Sequence, residues 1–141
     1  MLNSFTEPFH VFGFYVAVNA LIMLILALFV VRARVKTQTI IGDGGKPEMA
    51  GPLRAHANNT EYVPVALILM WALMPLGGTA WLAHAIGIPL TLGRIIHSIG
   101  LTKSTGPSTF RFIGMILTWI SYIIGIVAVL WLAFVPEAVA S

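Results

Sequence analysis

FHVFGFYVAVNALIMLILALFVV, residues 9–31, is the stretch that decides the fold class of this chain. It contains no Asp, Glu, Lys or Arg, and about 20 apolar residues are enough for a helix to cross the hydrocarbon core of a bilayer. Further apolar stretches follow it, so we predict one domain over residues 1–141 with spans at about 9–32, 53–76, 80–101 and 109–135. Backbone groups in lipid must satisfy their own hydrogen bonds, and we therefore expect an all-α bundle of four transmembrane helices.

The composition supports an integral membrane protein. Of the 141 residues, 58% are hydrophobic and 9% are charged, whereas about a quarter of the residues in a soluble domain are charged. The first apolar stretch has no basic residue before it and is too long for the core of a signal peptide, so we expect it to stay as a membrane anchor. The chain has no cysteine, which excludes disulfides, thiolate metal sites and a cysteine nucleophile.

The basic residues are confined to one end of the predicted bundle. They lie around the first and third loops: Arg32, Arg34, Lys36, Lys46, Arg54, Arg94, Lys103 and Arg111. By the positive-inside rule, loops one and three are expected to be cytoplasmic and both termini to lie on the opposite side. The same bias accounts for the isoelectric point near 9.7, so no nucleic acid partner is predicted.

Polar residues gather at this end of the second span, in RAHANNTEY, residues 54–62. On a helix, Arg54, Asn58 and Glu61 stand at i, i+4 and i+7 and form one stripe. Glu61 is expected to be partly desolvated, and an ionisable residue within a membrane helix costs about 2.5–3.5 kcal/mol on insertion scales. Either Glu61 pairs with Arg54 or Arg94 and ties helices together, or the stripe belongs to a binding site.

The other three spans bring basic or polar groups to the same depth. Arg32 ends the first span, Arg94 and His97 lie near the end of the third, and Arg111 begins the fourth. Several arginines around one carboxylate suit an anionic ligand that carries a single positive group, because the planar guanidinium binds carboxylates with two parallel hydrogen bonds.

Glutathione has the chemistry that this set of residues would bind. It carries two carboxylates for the arginines, one ammonium that Glu61 would hold, and a thiol that must ionise to react. Asn58 and Tyr62 can supply neutral hydrogen bonds. His56 and His97 alone are too few for a defined zinc site, and no metal is predicted.

Three stretches resemble the MAPEG family, the membrane-associated proteins of eicosanoid and glutathione metabolism. RAHANNTEYVP, residues 54–64, resembles the signature of that family's second helix. VRARVK, residues 31–36, and GRIIHSIG, residues 93–100, resemble the ends of its first and third helices. The likeness covers essentially the whole chain and is greatest to the short bacterial members, which implies a bacterial inner membrane protein.

The resemblance implies a homotrimer of four-helix bundles, with glutathione sites between neighbouring subunits at the cytoplasmic ends of the helices. It implies that glutathione is held by positions that match Arg32, Arg54, Asn58, Glu61, Tyr62, Arg94 and His97. Arg111 matches the arginine that several family enzymes use to activate the thiol. Leu101 and Phe112 depart from residues found in some members, which argues against a specific eicosanoid reaction.

The expected function is that of a membrane-bound glutathione transferase or peroxidase acting on lipophilic electrophiles or lipid hydroperoxides, with glutathione as cosubstrate. The alternative is a protein that binds glutathione or lipid without chemistry. A transporter or proton relay built on Glu61 and His97, and a purely structural trimer, are further alternatives. Asn19 lies in mid-span and is interpreted as a contact between helices rather than a ligand.

Overall fold

The computed structural model describes residues 6–103 and 106–134. These residues form four helices and no strand: α1 Pro8–Thr37, α2 Pro47–Ala72, α3 Ala80–Lys103 and α4 Thr109–Phe134. The prediction of an all-α bundle is confirmed for this part of the chain.

Two of the helices differ from their predicted bounds at the first loop. α1 continues to Thr37, past the predicted end at 32, because the basic residues of its last turns are favourable next to the negative end of the helix dipole. α2 begins at Pro47 rather than at 53, since proline is well suited to the first position of a helix. The first connection is therefore shorter than the sequence suggests.

Three of the four described helices, α1, α3 and α4, are long and apolar enough to cross a membrane by length and composition. α2 does not meet this criterion because of its composition: its first half carries the polar motif with Arg54 and Glu61. Its 26 residues, at about 1.5 Å each, nevertheless give it the length of a span. The prediction of four apolar spans is thus supported for α1, α3 and α4. α2 differs from them because it carries polar residues of the predicted site.

Glycines let the helices approach closely at the end of the bundle that carries the first and third connections, called the loop end below. A Cβ placed on Gly93 of α3 would lie 2.8 Å from the carbonyl oxygen of Gly114 in α4. A Cβ on Gly51 of α2 would lie 2.8 Å from the carbonyl oxygen of Leu101 in α3. Small residues at such crossings are typical of membrane bundles, and here they hold α2, α3 and α4 together.

The buried apolar core lies mainly toward the other end of the bundle. Its members are Val11, Tyr15, Met70, Leu73, Met74, Ala83, Ile86 and Ala128. Between this core and the loop end, Asn19 donates a hydrogen bond from Nδ2 to Thr91 Oγ1 at 3.0 Å, which confirms its predicted contact between helices. Most of the buried apolar core therefore lies away from the loop end, and the buried Arg94, Asn58 and His97 lie nearer to the loop end.

Candidate functional site

A cleft of about 450 Å³ opens at the loop end, between the first connection and the ends of α2, α3 and α4. It is lined by Asp43, Ala50, Gly51, Leu53, Arg54, Ala57, Leu101 and Arg111. The volume lies within the range of about 300–1,000 Å³ that is usual for small-molecule sites. In the described part of the chain its walls carry two guanidinium groups and one carboxylate, so the cleft can take an anionic ligand that also bears a positive charge.

Arg111 is half-buried in the first turn of α4. Its backbone N–H donates to Ser108 Oγ at 3.2 Å, and Nη1 of its guanidinium donates to the carbonyl of Gly106 at 2.8 Å. A Cβ on Gly100 would stand 2.8 Å from Cγ of Arg111, so glycine at that position leaves the room that the arginine occupies. The position of Arg111 is thus fixed by α3, by the third connection and by its own helix.

Arg111 also lines a second cavity of about 500 Å³ on the outer side of α4, called the outer groove below. Its other lining residues are His97, Gly106, Pro107, Ser108, Phe112, Met115 and Trp119. Phe112 and Trp119 are exposed there, and aromatic surface of this kind faces lipid or an apolar ligand. One arginine therefore borders both a charged cleft and a largely apolar groove.

Arg54 forms an ion pair with Glu61, with 3.1 Å between Nη1 and Oε1. Their side chains are 58% and 49% exposed, and pairs this accessible are worth about 0.2–1 kcal/mol. Glu61 is more exposed than its predicted depth suggests. The reason is the helix geometry: Glu61 is only about 20° around the helix from Arg54, whereas Asn58 is about 40–60° from both and faces the interior.

Arg94 is 1% exposed and lies at the centre of a buried cluster that ties α2, α3 and α4 together. It donates from Nη1 to Asn58 Oδ1 at 2.7 Å and from Nη2 to Thr118 Oγ1 at 2.6 Å. Nη2 also lies 3.5 Å from the sulfur of Met115, and the guanidinium lies 5.4 Å from the centre of the Tyr62 ring. Among the described residues no carboxylate pairs with Arg94, and its Nε has no partner.

Comparison with known proteins identifies the family. The MAPEG family profile matches residues 12–131. This chain belongs to the MAPEG family. It is 33% identical over 117 residues to the inner membrane protein YecN of Escherichia coli K12, and the match covers 83% of this chain and 88% of the relative. The identity and both coverages are the same for YecN of Escherichia coli O6:H1 strain CFT073. No solved structure gives a significant match.

The structure distributes the residues of the predicted MAPEG site over several places. Arg54 and Arg111 meet in the cleft. His97 lies behind Arg111, with Nδ1 at 3.0 Å from its carbonyl oxygen. The buried cluster contains Arg94, Asn58 and Tyr62. Glu61 pairs with Arg54 and does not line the cleft. Arg32 is exposed near the end of α1 and does not line the cleft either.

Sequence reasoning missed Asp43, which the structure places in the wall of the cleft. The sequence shows only that Asp43 is the one aspartate of the chain and lies among glycines between the first two helices, which does not place its side chain in a site. Its position depends on Arg34, which donates from Nη1 to the carbonyls of Thr39, Ile40 and Gly42 and so folds the connection back.

Proposed function

We propose that this MAPEG protein is a membrane-bound glutathione transferase or peroxidase that binds glutathione as a thiolate for attack on lipophilic electrophiles or lipid hydroperoxides. The observation that carries the proposal is the position of Arg111, which borders both the charged cleft and the outer groove. A thiol held at this residue has a carboxylate-binding cleft on one side and an apolar space on the other.

The cleft supplies the binding groups. Arg54 presents a guanidinium group that suits a carboxylate of glutathione, and Arg111 lines the same cleft at the place proposed for the sulfur. The protein acts as a homotrimer in the inner membrane, with its loop end on the cytoplasmic side, where glutathione is available. In such a trimer, we place the exposed Arg32 and the Glu61 of the Arg54–Glu61 pair beside glutathione bound at a neighbouring subunit. The more buried Asn58, Tyr62, Arg94 and His97 support the cleft of their own subunit from behind.

Arg111 is the residue proposed to activate the thiol. A free thiol has a pKa of about 8.5, so only a few per cent is ionised at neutral pH. A guanidinium beside the sulfur favours the anion by charge and by hydrogen bonding. Lowering the thiol pKa by about 2 makes the thiolate predominant and corresponds to roughly 2.7 kcal/mol.

The outer groove is proposed to receive the second substrate from the lipid phase. Phe112, Met115 and Trp119 give it an apolar wall beside Arg111. In the transferase reaction, the thiolate sulfur bonds to the electrophilic carbon and the leaving group departs with the electrons of its bond. In the peroxidase reaction, the sulfur attacks the peroxide and the O–O bond breaks to release an alcohol. A second glutathione then converts the sulfenic acid to the disulfide and water.

A second candidate is a binding protein without chemistry, and one observation favours it. Nη1 of Arg111 already donates to the carbonyl of Gly106 at 2.8 Å, so part of its hydrogen-bonding capacity is used by the protein. In that case glutathione would bind in the cleft, but its thiol would not ionise.

The ultraviolet difference spectrum of the purified protein with glutathione separates these functions. We expect a thiolate band in the wild type and its loss in Arg111→Ala, with Lys36→Ala as the control because Lys36 is an exposed cation that does not line the cleft. Glutathione binding without a thiolate band would support the binding protein. Absence of binding in the wild type would overturn both.

A further inference from the structure

We propose that Asp43 determines the specificity of the cleft by accepting the ammonium group of glutathione, an inference that rests on the proposed function. Asp43 lines the cleft with Arg54 and Arg111 and is the one acidic residue among the described residues that line it. A ligand that carried only carboxylates would be repelled by Asp43. Glutathione matches all three charges when its ammonium lies at Asp43, a carboxylate at Arg54 and its thiolate at Arg111.

Glu61 does not occupy that role within the described chain. Its Oε1 accepts a hydrogen bond from Arg54 at 3.1 Å, and it lies outside the lining of the cleft. The pair also offsets part of the charge of Arg54, so the cleft has less excess positive charge than two arginines would give. A carboxylate that is placed in the wall, and not already paired with an arginine, is better suited to bind an ammonium.

The connection that carries Asp43 is held in one conformation by its own hydrogen bonds. Arg34 donates to the carbonyl oxygens of Thr39, Ile40 and Gly42 at 3.4, 3.2 and 3.1 Å. The ammonium of Lys46 donates to the carbonyl of Thr37 at the end of α1. These hydrogen bonds hold both ends of the connection, so Asp43 has its position before a ligand binds.

The glycines beside Asp43 fix its direction. Gly42, Gly44 and Gly45 have φ angles of 63°, 59° and 66°, which residues with a side chain rarely adopt. In this turn Asp43 Oδ1 accepts the backbone N–H of Gly45 at 3.0 Å. Among the described residues Oδ2 has no hydrogen-bond donor, so it can accept a ligand ammonium. Prior placement reduces the entropy lost on binding.

The test compares glutathione with glutaryl-cysteinyl-glycine, which lacks only the ammonium, by calorimetry on the purified trimer in detergent. A charge-assisted hydrogen bond to the ammonium predicts that the wild type binds glutathione about tenfold more tightly than the analogue. Asp43→Asn is expected to remove this preference by weakening glutathione binding, and Asp43→Glu to retain part of it. Glu48→Gln is the matched control, because Glu48 is an exposed acid at the start of α2 that does not line the cleft.

The outcomes separate this inference from the proposed function. Equal affinity of the wild type for the two peptides overturns the role of Asp43 and needs no variant, so it holds even if Asp43→Asn fails to fold. A preference that survives in Asp43→Asn overturns it as well. If the wild type binds neither peptide, the proposed function fails and the inference fails with it.

Discussion

His97 Nδ1 lies 3.0 Å from the carbonyl oxygen of Arg111, and this hydrogen bond joins the end of α3 to the first turn of α4. Because a carbonyl oxygen only accepts, Nδ1 must carry the proton of the neutral imidazole. A Cβ on Gly114 would stand 2.6 Å from the Cβ of His97, so the two helix backbones approach closely at this residue. His97 therefore positions the backbone of the proposed thiol-activating residue.

His97→Phe is expected to lower the thiolate signal and kcat/KM for glutathione by roughly tenfold, the equivalent of one lost hydrogen bond. His97→Gln keeps an N–H donor and should recover part of both. The measurements are the ultraviolet thiolate band and turnover of a model electrophile. Equal losses in the two variants, matched by equal losses of thermal stability, would show that His97 has only a packing role.

Gly100→Ala is expected to reduce thiolate formation more than roughly tenfold, because the new methyl group would displace the arginine. A Cβ at this position would lie 2.8 Å from Cγ of Arg111 and 2.9 Å from its backbone nitrogen. Gly13→Ala is the matched control, since a Cβ there meets nothing within 4 Å. Normal thiolate formation in Gly100→Ala would mean that the observed position of Arg111 is not needed.

The buried Arg94 is expected to contribute to stability through its hydrogen bonds. Arg94→Met leaves Asn58 Oδ1 buried without its donor, and we expect a loss of about 2 kcal/mol in the free energy of unfolding in detergent. Adding Asn58→Leu removes the unpaired acceptor and should restore part of the loss, since replacing both partners by apolar groups is nearly neutral. A double variant that is less stable than Arg94→Met would contradict this account.

Features that depend on local sequence pattern can be predicted from the sequence, whereas the position of a side chain that depends on tertiary contacts cannot. Residues 9–31 contain no Asp, Glu, Lys or Arg and are apolar apart from His10 and Asn19, so the first helix could be predicted. The distribution of charge alone was enough to place Arg54 and Arg111 at the same end of the bundle. The position of Asp43 could not be predicted from the sequence, because it depends on hydrogen bonds from Arg34 to three backbone carbonyls of the first connection.

The motif in α2 shows the same limit at the level of single side chains. Arg54, Asn58 and Glu61 form one stripe by spacing, and spacing does not say which edge of the stripe faces the interior. Packing against Arg94 turns Asn58 inward and leaves the other two exposed as a pair. The contacts of Asn58 therefore follow from a buried arginine on another helix, which no pattern within α2 contains.

Phe112→Ala is expected to raise KM for a lipophilic electrophile several-fold and to leave the affinity for glutathione unchanged. Phe112 lines the outer groove and is 69% exposed, but it does not line the cleft, so it can contact only the substrate that comes from the lipid. Removing most of an aromatic ring from an apolar contact costs about 1–2 kcal/mol when the contact is partly exposed. Ile113→Ala is the control, because Ile113 is an exposed apolar neighbour outside the groove. Steady-state kinetics with each substrate varied in turn makes the measurement. An effect on glutathione alone, or an equal effect of Ile113→Ala, would place the electrophile elsewhere than in the outer groove.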